Sequence, residues 1–526
     1  MRGIVAAVIA ALGLAATASA QAPAKANWLT DGYDKERTSW QRNETLLRPD
    51  TVGRMKLLWK VQTDSTPRQM HNLFPALIAS DVLTPQGPRE MAIVAGVSDN
   101  LYGIDVLTGR QVWKRHFDST FVETDTTRVY VLCPGGLTAT PVIVPTATPG
   151  QYTVYAISWD GRLRTLDAAT GEDKAPPEPF LPSNGKPYGL NYLDNVLYTT
   201  TAQGCGGNPN QFYSYDLATK KVGAFNPASG GLWPRLGPSI GKDGRVYAGS
   251  GDGDYFPDQQ VFGQAIIAAK QNPATKAMEL EDWFAPKNAF WLRKRDLDMN
   301  VTGPVFEYKG REYIAQSSKE CRIWLLDTSA LGGEDHRTPV DQTPLVCNEE
   351  VQFASAGPWG ALATWEDKDG TRYVLIPFWG PKHSKFKAPI EHGEVVQGAV
   401  AAFKLVPGPA GPRFAPAWLS RNMVNADPVA IAGGVVFAYG SGEDTAQASV
   451  DIGLAYNTAV NRISRSSRAT LYALDARTGA ELWSSGDQIA TFNHFTSISV
   501  ANGRVYIGTF DGVLYCFGLD AAAGTQ

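Results

Sequence analysis

Several common chemistries are missing from this chain of 526 residues. It contains no Cys-x-x-Cys-His, so it attaches no c-type haem of its own. Its six histidines (His71, His116, His336, His383, His392 and His494) are scattered without the spacing of zinc ligands, which sets zinc chemistry aside. Charge of either sign is scarce: 48 Lys and Arg stand against 52 Asp and Glu, a net charge of −4, with no basic stripe interleaved with aromatics. That composition argues against nucleic acid as a partner. Past the first twenty residues no apolar run is long enough to cross a bilayer, and no long amphipathic helical pattern occurs in the body of the chain. Cysteine is sparse too. Cys133, Cys205, Cys321, Cys347 and Cys516 are an odd number, allowing two disulfides and one spare thiol in an oxidising compartment.

What the chain does have is a repeated phrase. LYGIDVLTGRQVW at 101–113 and LYALDARTGAELW at 471–483 each run an apolar strand into an Asp, a Thr-Gly turn and a second strand ending on Trp. This is the pattern of a β-hairpin closing a propeller blade. Weaker copies are LRTLDAATGE ending at Glu172, FYSYDLATKK ending at Lys221, and RIWLLDTSALGG with Asp327 in the same slot. The faintest are QAIIAAK at 264–270, AVAAFK at 399–404 and VLYCFG at 513–518. Eight units result, the first three Asp positions standing 62 and 49 residues apart, which suits four-stranded blades with loops of variable length. The final unit lacks its closing Trp strand, and LLWKVQT at 57–63 is an orphan strand of that kind. The expectation is an all-β, eight-bladed propeller whose ring is closed by an N-terminal strand, leaving no open sheet edge. The 52 Gly and 34 Pro supply its turns.

Arg2, the apolar run from about Gly3 to Ala16, and Ala18-Ser19-Ala20 before Gln21 have the layout of a cleavable secretory signal. Residues 1–20 are thus expected to be removed, leaving 21–526 as one propeller domain in the periplasm or outside the cell. No Cys follows the cleavage point, as a lipoprotein signal would require.

The blade phrase, the opening NWLTDGYDKERTSW with LRPDTVGRMKLLWKVQT, and the body between 130 and 330 together resemble the quinoprotein alcohol dehydrogenases, eight-bladed propellers that hold pyrroloquinoline quinone (PQQ) on the axis beside Ca²⁺ or a lanthanide. The resemblance implies specific residues. GGLW at 230–233 matches the segment that places a Trp flat beneath the quinone, giving Trp233 the role of a rigid π-face. RDLDMNVTGPVF at 295–306 matches the paired-Asp segment, giving Asp296 the role of base for the alcohol proton and Asp298 that of an extra ligand to a trivalent ion. Lys319 in QSSKECRIWLLD falls where the family has a cation beside the quinone carbonyls. Asp252 in VYAGSGDGDYFPD occupies the slot of a metal-ligating Asn, with Asp254 and Asp258 nearby.

Two departures stand out. The family's metal-binding Glu aligns with Cys205 in TAQGCGGNPNQF, and a thiolate is a poor ligand for a hard ion. Where the family commonly has two adjacent cysteines whose disulfide covers the quinone, YVLCPGGL has only Cys133. Both positions map to the mouth of one central pocket, so Cys133 is expected to pair with Cys205 as a different lid, leaving Cys321 with Cys347 as the remaining candidate pair.

The resemblance therefore implies an exported PQQ-dependent dehydrogenase oxidising an alcohol-type substrate and passing electrons to a separate periplasmic acceptor such as a cytochrome c. The alternative is a propeller that keeps the fold without the chemistry and serves as an envelope scaffold or binding module. A third arrangement is a quinone site without metal, in which Lys319 alone supplies the positive charge. From the residues alone each site has a bland explanation: Trp233 is one of fourteen Trp, Asp-x-Asp is commonly a solvated turn, and a Lys is commonly at the surface. Segments 331–398 and 440–468 are long and irregular in sequence and are candidates for the pocket rim, the second reading equally well as a mobile surface loop.

Overall fold

The computed structural model describes residues 25–68, 71–118, 133, 135–409, 411–446, 459–494 and 496–520. The expected leader at 1–20 lies outside them. Eight successive sheets follow one another along the chain, each a meander of antiparallel strands. Blade 1 takes residues 77–116, blade 2 142–179, blade 3 191–225, blade 4 231–284, blade 5 305–342, blade 6 363–419, blade 7 426–484 and blade 8 499–518. Blade 8 supplies only three strands of its own. Its outer strand is Lys56–Gln62, paired antiparallel to Val513–Gly518, so the ring closes on the orphan strand seen in the sequence. Helix among the described residues is confined to Ala289–Lys294, Ala459–Arg465 and a few short 3₁₀ turns, and no helix there is long and apolar enough to cross a membrane.

The repeated phrase is explained by how blades grip one another. In blade 1 the Asp105 carboxylate accepts hydrogen bonds from the backbone N–H and hydroxyl of Thr108, pinning the turn, and Gly109 follows in the left-handed region at φ 67°. A Cβ there would meet the Trp59 ring at 2.7 Å, so the missing side chain is the seat for the preceding blade's indole, whose Nε1 donates to Val106 O. The same joint recurs where Trp113 of blade 1 sits on Gly171 and donates to Ala168 O in blade 2. It recurs again where Trp418 of blade 6 sits on Gly479 and donates to Ala476 O in blade 7. Asp, Thr, Gly and Trp are thus parts of one inter-blade fastening. Glycine is required because its φ is positive and because an indole lies where a Cβ would be.

The core is a series of layers between neighbouring sheets. One layer joins Leu197 and Tyr213 of blade 3 to Ile157 and Leu163 of blade 2; the next joins Tyr198 and Phe212 to Val246 and Ile267 of blade 4. Strands are apolar on both faces because each sheet is covered on both sides. Segment 331–398 departs from its expected irregularity: Ala363–Glu366 and Arg372–Trp379 within it are strands of blade 6. In segment 440–468, helix Ala459–Arg465 sends Arg462 inward against Glu443, while residues 447–458 lie outside the described ones.

Candidate active site

Asp296, Asp298, Asp252 and Lys319 meet where blades 4 and 5 join. Helix Ala289–Lys294 ends in a capped turn in which Leu297 N–H donates to Leu292 O at 2.9 Å and Asp296 N–H to Arg293 O at 3.4 Å. Asp296 occupies the left-handed position of that cap at φ 54°, where glycine is the usual residue, and the buried pair Leu292 and Leu297 anchors it. Asp252 is left-handed as well, at φ 49°. Such backbone costs about 1–2 kcal/mol per residue and persists only where the surroundings enforce it.

The segments are laced together through their main chains. Lys319 N–H donates to Asp298 O at 3.0 Å, and Asp252 N–H donates to Asp298 Oδ1 at 2.9 Å. Beyond Lys319 the loop is held by the Cys321–Cys347 disulfide and by Asn348 Nδ2, which donates to Lys319 O at 2.6 Å. The Lys319 ammonium, 6 % exposed, donates to Asp298 Oδ2 at 2.6 Å and to Asp296 Oδ1 at 3.0 Å. Oxygens of Asp252, Asp296 and Asp298 all lie within 4.8 Å of one another. Asp254 and Asp258 stay outside: Asp254 faces Arg293 at 3.6 Å, and Asp258 sits in a separate 3₁₀ turn.

Three carboxylates against one ammonium have divergent charge states. Burial would raise Asp298, but Lys319 holds it well below the usual carboxylate range. Partial burial and the nearby Asp298 charge push Asp296 up to about 7; the same causes raise Asp252, where exposure to solvent screens them more strongly. For Lys319, burial alone would lower the pKa, and the two carboxylates raise it instead. The cluster thus holds a fixed ion pair, Lys319 with Asp298, beside an acid that exchanges its proton near neutrality.

Trp233 stands one strand away. Gly231–Leu232 pairs with Gly251 and Ser250, immediately before Asp252, and Trp233 N–H donates to Gly249 O at 3.0 Å. Its indole is partly exposed, and its buried Nε1 has no hydrogen-bond partner among the described residues. Cys205 follows Ala202, which bridges Gly231, and is bonded to Cys133, while Cys516 is a buried thiol.

Two tryptophans escaped the sequence reading. The Lys319 ammonium lies 5.2 Å from the centre of the Trp359 ring, Trp359 stacks on Trp379 at 5.0 Å and 19°, and Trp379 Nε1 donates to Asp427 at 3.2 Å. A signal was present: GPWG at 357–360 precedes the first strand of blade 6 as GGLW at 230–233 opens blade 4.

Residues 47–224 match the family described as outer membrane protein assembly factor BamB, a PQQ-repeat family. Among solved structures the chain is similar to a europium-containing methanol dehydrogenase, with a TM-score of 0.60 at 12 % identity, covering 94 % of this chain and 98 % of that one. It is also similar to the quinohemoprotein alcohol dehydrogenase of Comamonas testosteroni, with a TM-score of 0.59 at 14 % identity over 94 % and 81 % of the two chains. A quinohemoprotein alcohol dehydrogenase of Pseudomonas putida HK5 gives 0.58 at 13 % identity over 95 % and 81 %. No curated protein sequence matches. The fold is that of the PQQ-type β-propellers.

Within this PQQ-type propeller the residues can be tested against the groups that such folds carry. Three converging carboxylates with a single ammonium leave negative charge in excess, and oxygen donors suit a hard cation, so Asp252, Asp296 and Asp298 fit Ca²⁺ or a lanthanide. Cys205 contributes no ligand, since its sulfur is committed to Cys133. The partly exposed indole of Trp233 with its unpartnered Nε1 fits a flat heterocycle.

Proposed function

We propose that this protein is an exported PQQ-dependent oxidoreductase acting on an alcohol-type substrate. The observation that carries the reading is the junction of Asp296, Asp298 and Lys319, where the buried Lys319 ammonium donates to Asp296 Oδ1 at 3.0 Å and to Asp298 Oδ2 at 2.6 Å. PQQ, when bound, supplies a two-electron acceptor for the hydrogen leaving the substrate carbon. Trp233 would offer its face to the quinone, with the Cys133–Cys205 disulfide as the candidate lid. Asp296 takes the hydroxyl proton. Asp298 keeps its charge and fixes Lys319, whose ammonium stabilises negative charge developing on an adjacent oxygen. Asp252 and Asp298, with Asp296 beside them, would hold Ca²⁺ or a lanthanide. The finer assignments are export to the periplasm by residues 1–20 and electron delivery to a separate cytochrome c-type acceptor.

The purified protein, reconstituted with PQQ and Ca²⁺ or a lanthanide, is expected to reduce an artificial dye when given a short-chain alcohol. PQQ is also expected to quench tryptophan fluorescence, less so in Trp233→Ala. Tight PQQ binding without turnover across a broad alcohol panel would overturn the enzymatic reading. The second reading, an envelope scaffold, is favoured by one observation: the slot of the expected metal-binding Glu holds a disulfide-bonded cysteine. Absence of any PQQ binding would select it.

A further inference from the structure

The acid cluster is short of oxygen ligands for the ion that it fits. Lys319 takes Asp296 Oδ1 and Asp298 Oδ2, and the slot expected to hold a metal-binding Glu carries Cys205, whose sulfur is bonded to Cys133. Ca²⁺ gathers about six to eight oxygens, so three carboxylates shared with an ammonium leave positions to fill.

A fourth side chain reaches the cluster from blade 4. Gln264 comes just before the strand Ile266–Gln271, and its side chain is fully buried. Its Nε2 donates to Asp298 Oδ1 at 3.0 Å, the oxygen that also accepts from Asp252 N–H at 2.9 Å. Its Oε1 is buried and has no hydrogen-bond partner among the described residues. Nε2 and Oε1 sit on one carbon, so this acceptor lies within one amide's width of Asp298. The turn that carries Gln264 is fixed by Ser250, whose Oγ donates to Phe262 O at 2.6 Å and accepts from Ala265 N–H at 3.0 Å. Gly251 keeps the space open, since a Cβ there would meet Asp298 Oδ1 at 2.4 Å.

Two other buried amides leave an oxygen without a partner among the described residues, and they mark the difference. Asn300 Nδ2 donates to Pro358 O and Gln316 Nε2 to Val301 O, so both amides are spent on main chain. Leaving a buried acceptor unsatisfied costs about 1–3 kcal/mol. At Gln264 that cost falls on an amide hydrogen-bonded to one of three converging carboxylates, where a cation would offset it.

We propose that Gln264 Oε1 is an oxygen ligand of the cation held by Asp252, Asp296 and Asp298, making up in neutral form for the Glu that Cys205 replaces. A neutral donor suits the position, because it adds an oxygen without a fourth negative charge beside carboxylates that already repel one another. The inference rests on the reading of the acid cluster as a cation site and is independent of PQQ and of turnover.

The test is terbium luminescence of the full mature protein without PQQ, excited through its tryptophans and displaced by Ca²⁺. Decay rates in H₂O and D₂O count the waters left on the ion. Gln264→Met, similar in length but without the amide, is expected to weaken Tb³⁺ and Ca²⁺ binding by at least about tenfold and to add about one water to bound Tb³⁺. Gln264→Glu keeps the oxygen and adds charge, and should bind at least as tightly as the parent with its hydration unchanged. If Gln264 served only as a hydrogen-bond donor to Asp298, the Glu variant would set one carboxylate against another and bind more weakly than the parent. That result overturns the proposal, as does unchanged affinity and hydration in a Gln264→Met protein with native near-ultraviolet dichroism. Where the Met variant fails to fold, the Glu variant decides alone. A parent that binds neither ion removes the cation reading of the cluster and the role of Gln264 with it. A parent that binds both, with no response to Gln264, leaves the cluster as a cation site and removes only this ligand.

Discussion

Lys319 and Lys186 are equally buried, and both line the inner part of the ring, yet their surroundings are opposite. Lys319 is clasped by two carboxylates and its pKa is raised; Lys186 faces a guanidinium and is lowered to about 7. Burial alone therefore says nothing about the role of a buried charge, and the partner decides. The first lysine is a permanent cation that organises an acid cluster. The second is a buried cation beside another cation, and that neighbour and its burial both oppose its charge.

The comparison breaks most sharply if Asp296 proves dispensable. In the reconstituted enzyme, Asp296→Asn is expected to lower dye-coupled turnover by about 10²–10⁴-fold, the usual contribution of a positioned base, while PQQ quenching of tryptophan fluorescence stays intact. Next in size is the contrast in stability. Lys319→Met strands the buried Asp298 charge and should lose about 3–5 kcal/mol in urea unfolding, as when one partner of a buried pair is removed. Lys186→Met removes a buried charge that has no ion pair among the described residues, and should stay within about 1 kcal/mol of the parent or exceed it. Similar losses in both variants would erase the distinction.

The blade joints set a scale for these losses. Trp113→Ala, which empties the seat over Gly171, is expected to cost about 3–5 kcal/mol, and Trp113→Phe, which mainly forfeits the Nε1 bond to Ala168 O, about 1 kcal/mol. These joints also explain why the architecture was legible. Asp105, Thr108, Gly109 and Trp113 are close in sequence, and each has one job at a joint that recurs, so a thirteen-residue phrase carries the inter-blade geometry. Asp296, Asp298 and Lys319 were legible only through resemblance, and they do come together. Trp359, Trp379 and Lys186 were not seen. Their contacts join segments from different blades, and GKPYGL around Lys186 has the look of an ordinary surface turn. Nothing local distinguishes a lysine that a propeller turns inward from one it turns out.

The smallest expected effect tests the acid cluster through pH. Asp296 and Asp252 are raised to about 7 and about 6 in the fold, against an ordinary value near 4 in the unfolded chain. Between these values the folded protein binds more protons than the unfolded one, so the contribution is fully present below about pH 4 and is lost as the pH rises through 6 to 7. Asp298 acts in the opposite sense, but its depressed pKa matters only as the pH falls below the unfolded value, outside this window. The urea midpoint of the metal-free protein should therefore fall modestly from pH 5 to pH 8, and Asp296→Asn should flatten that fall. Added Ca²⁺ or lanthanide should flatten it too, because a cation among the three carboxylates favours their charged forms. A midpoint independent of pH in the metal-free parent would mean that Asp296 is already ionised at pH 5, an ordinary carboxylate and not one raised toward neutrality.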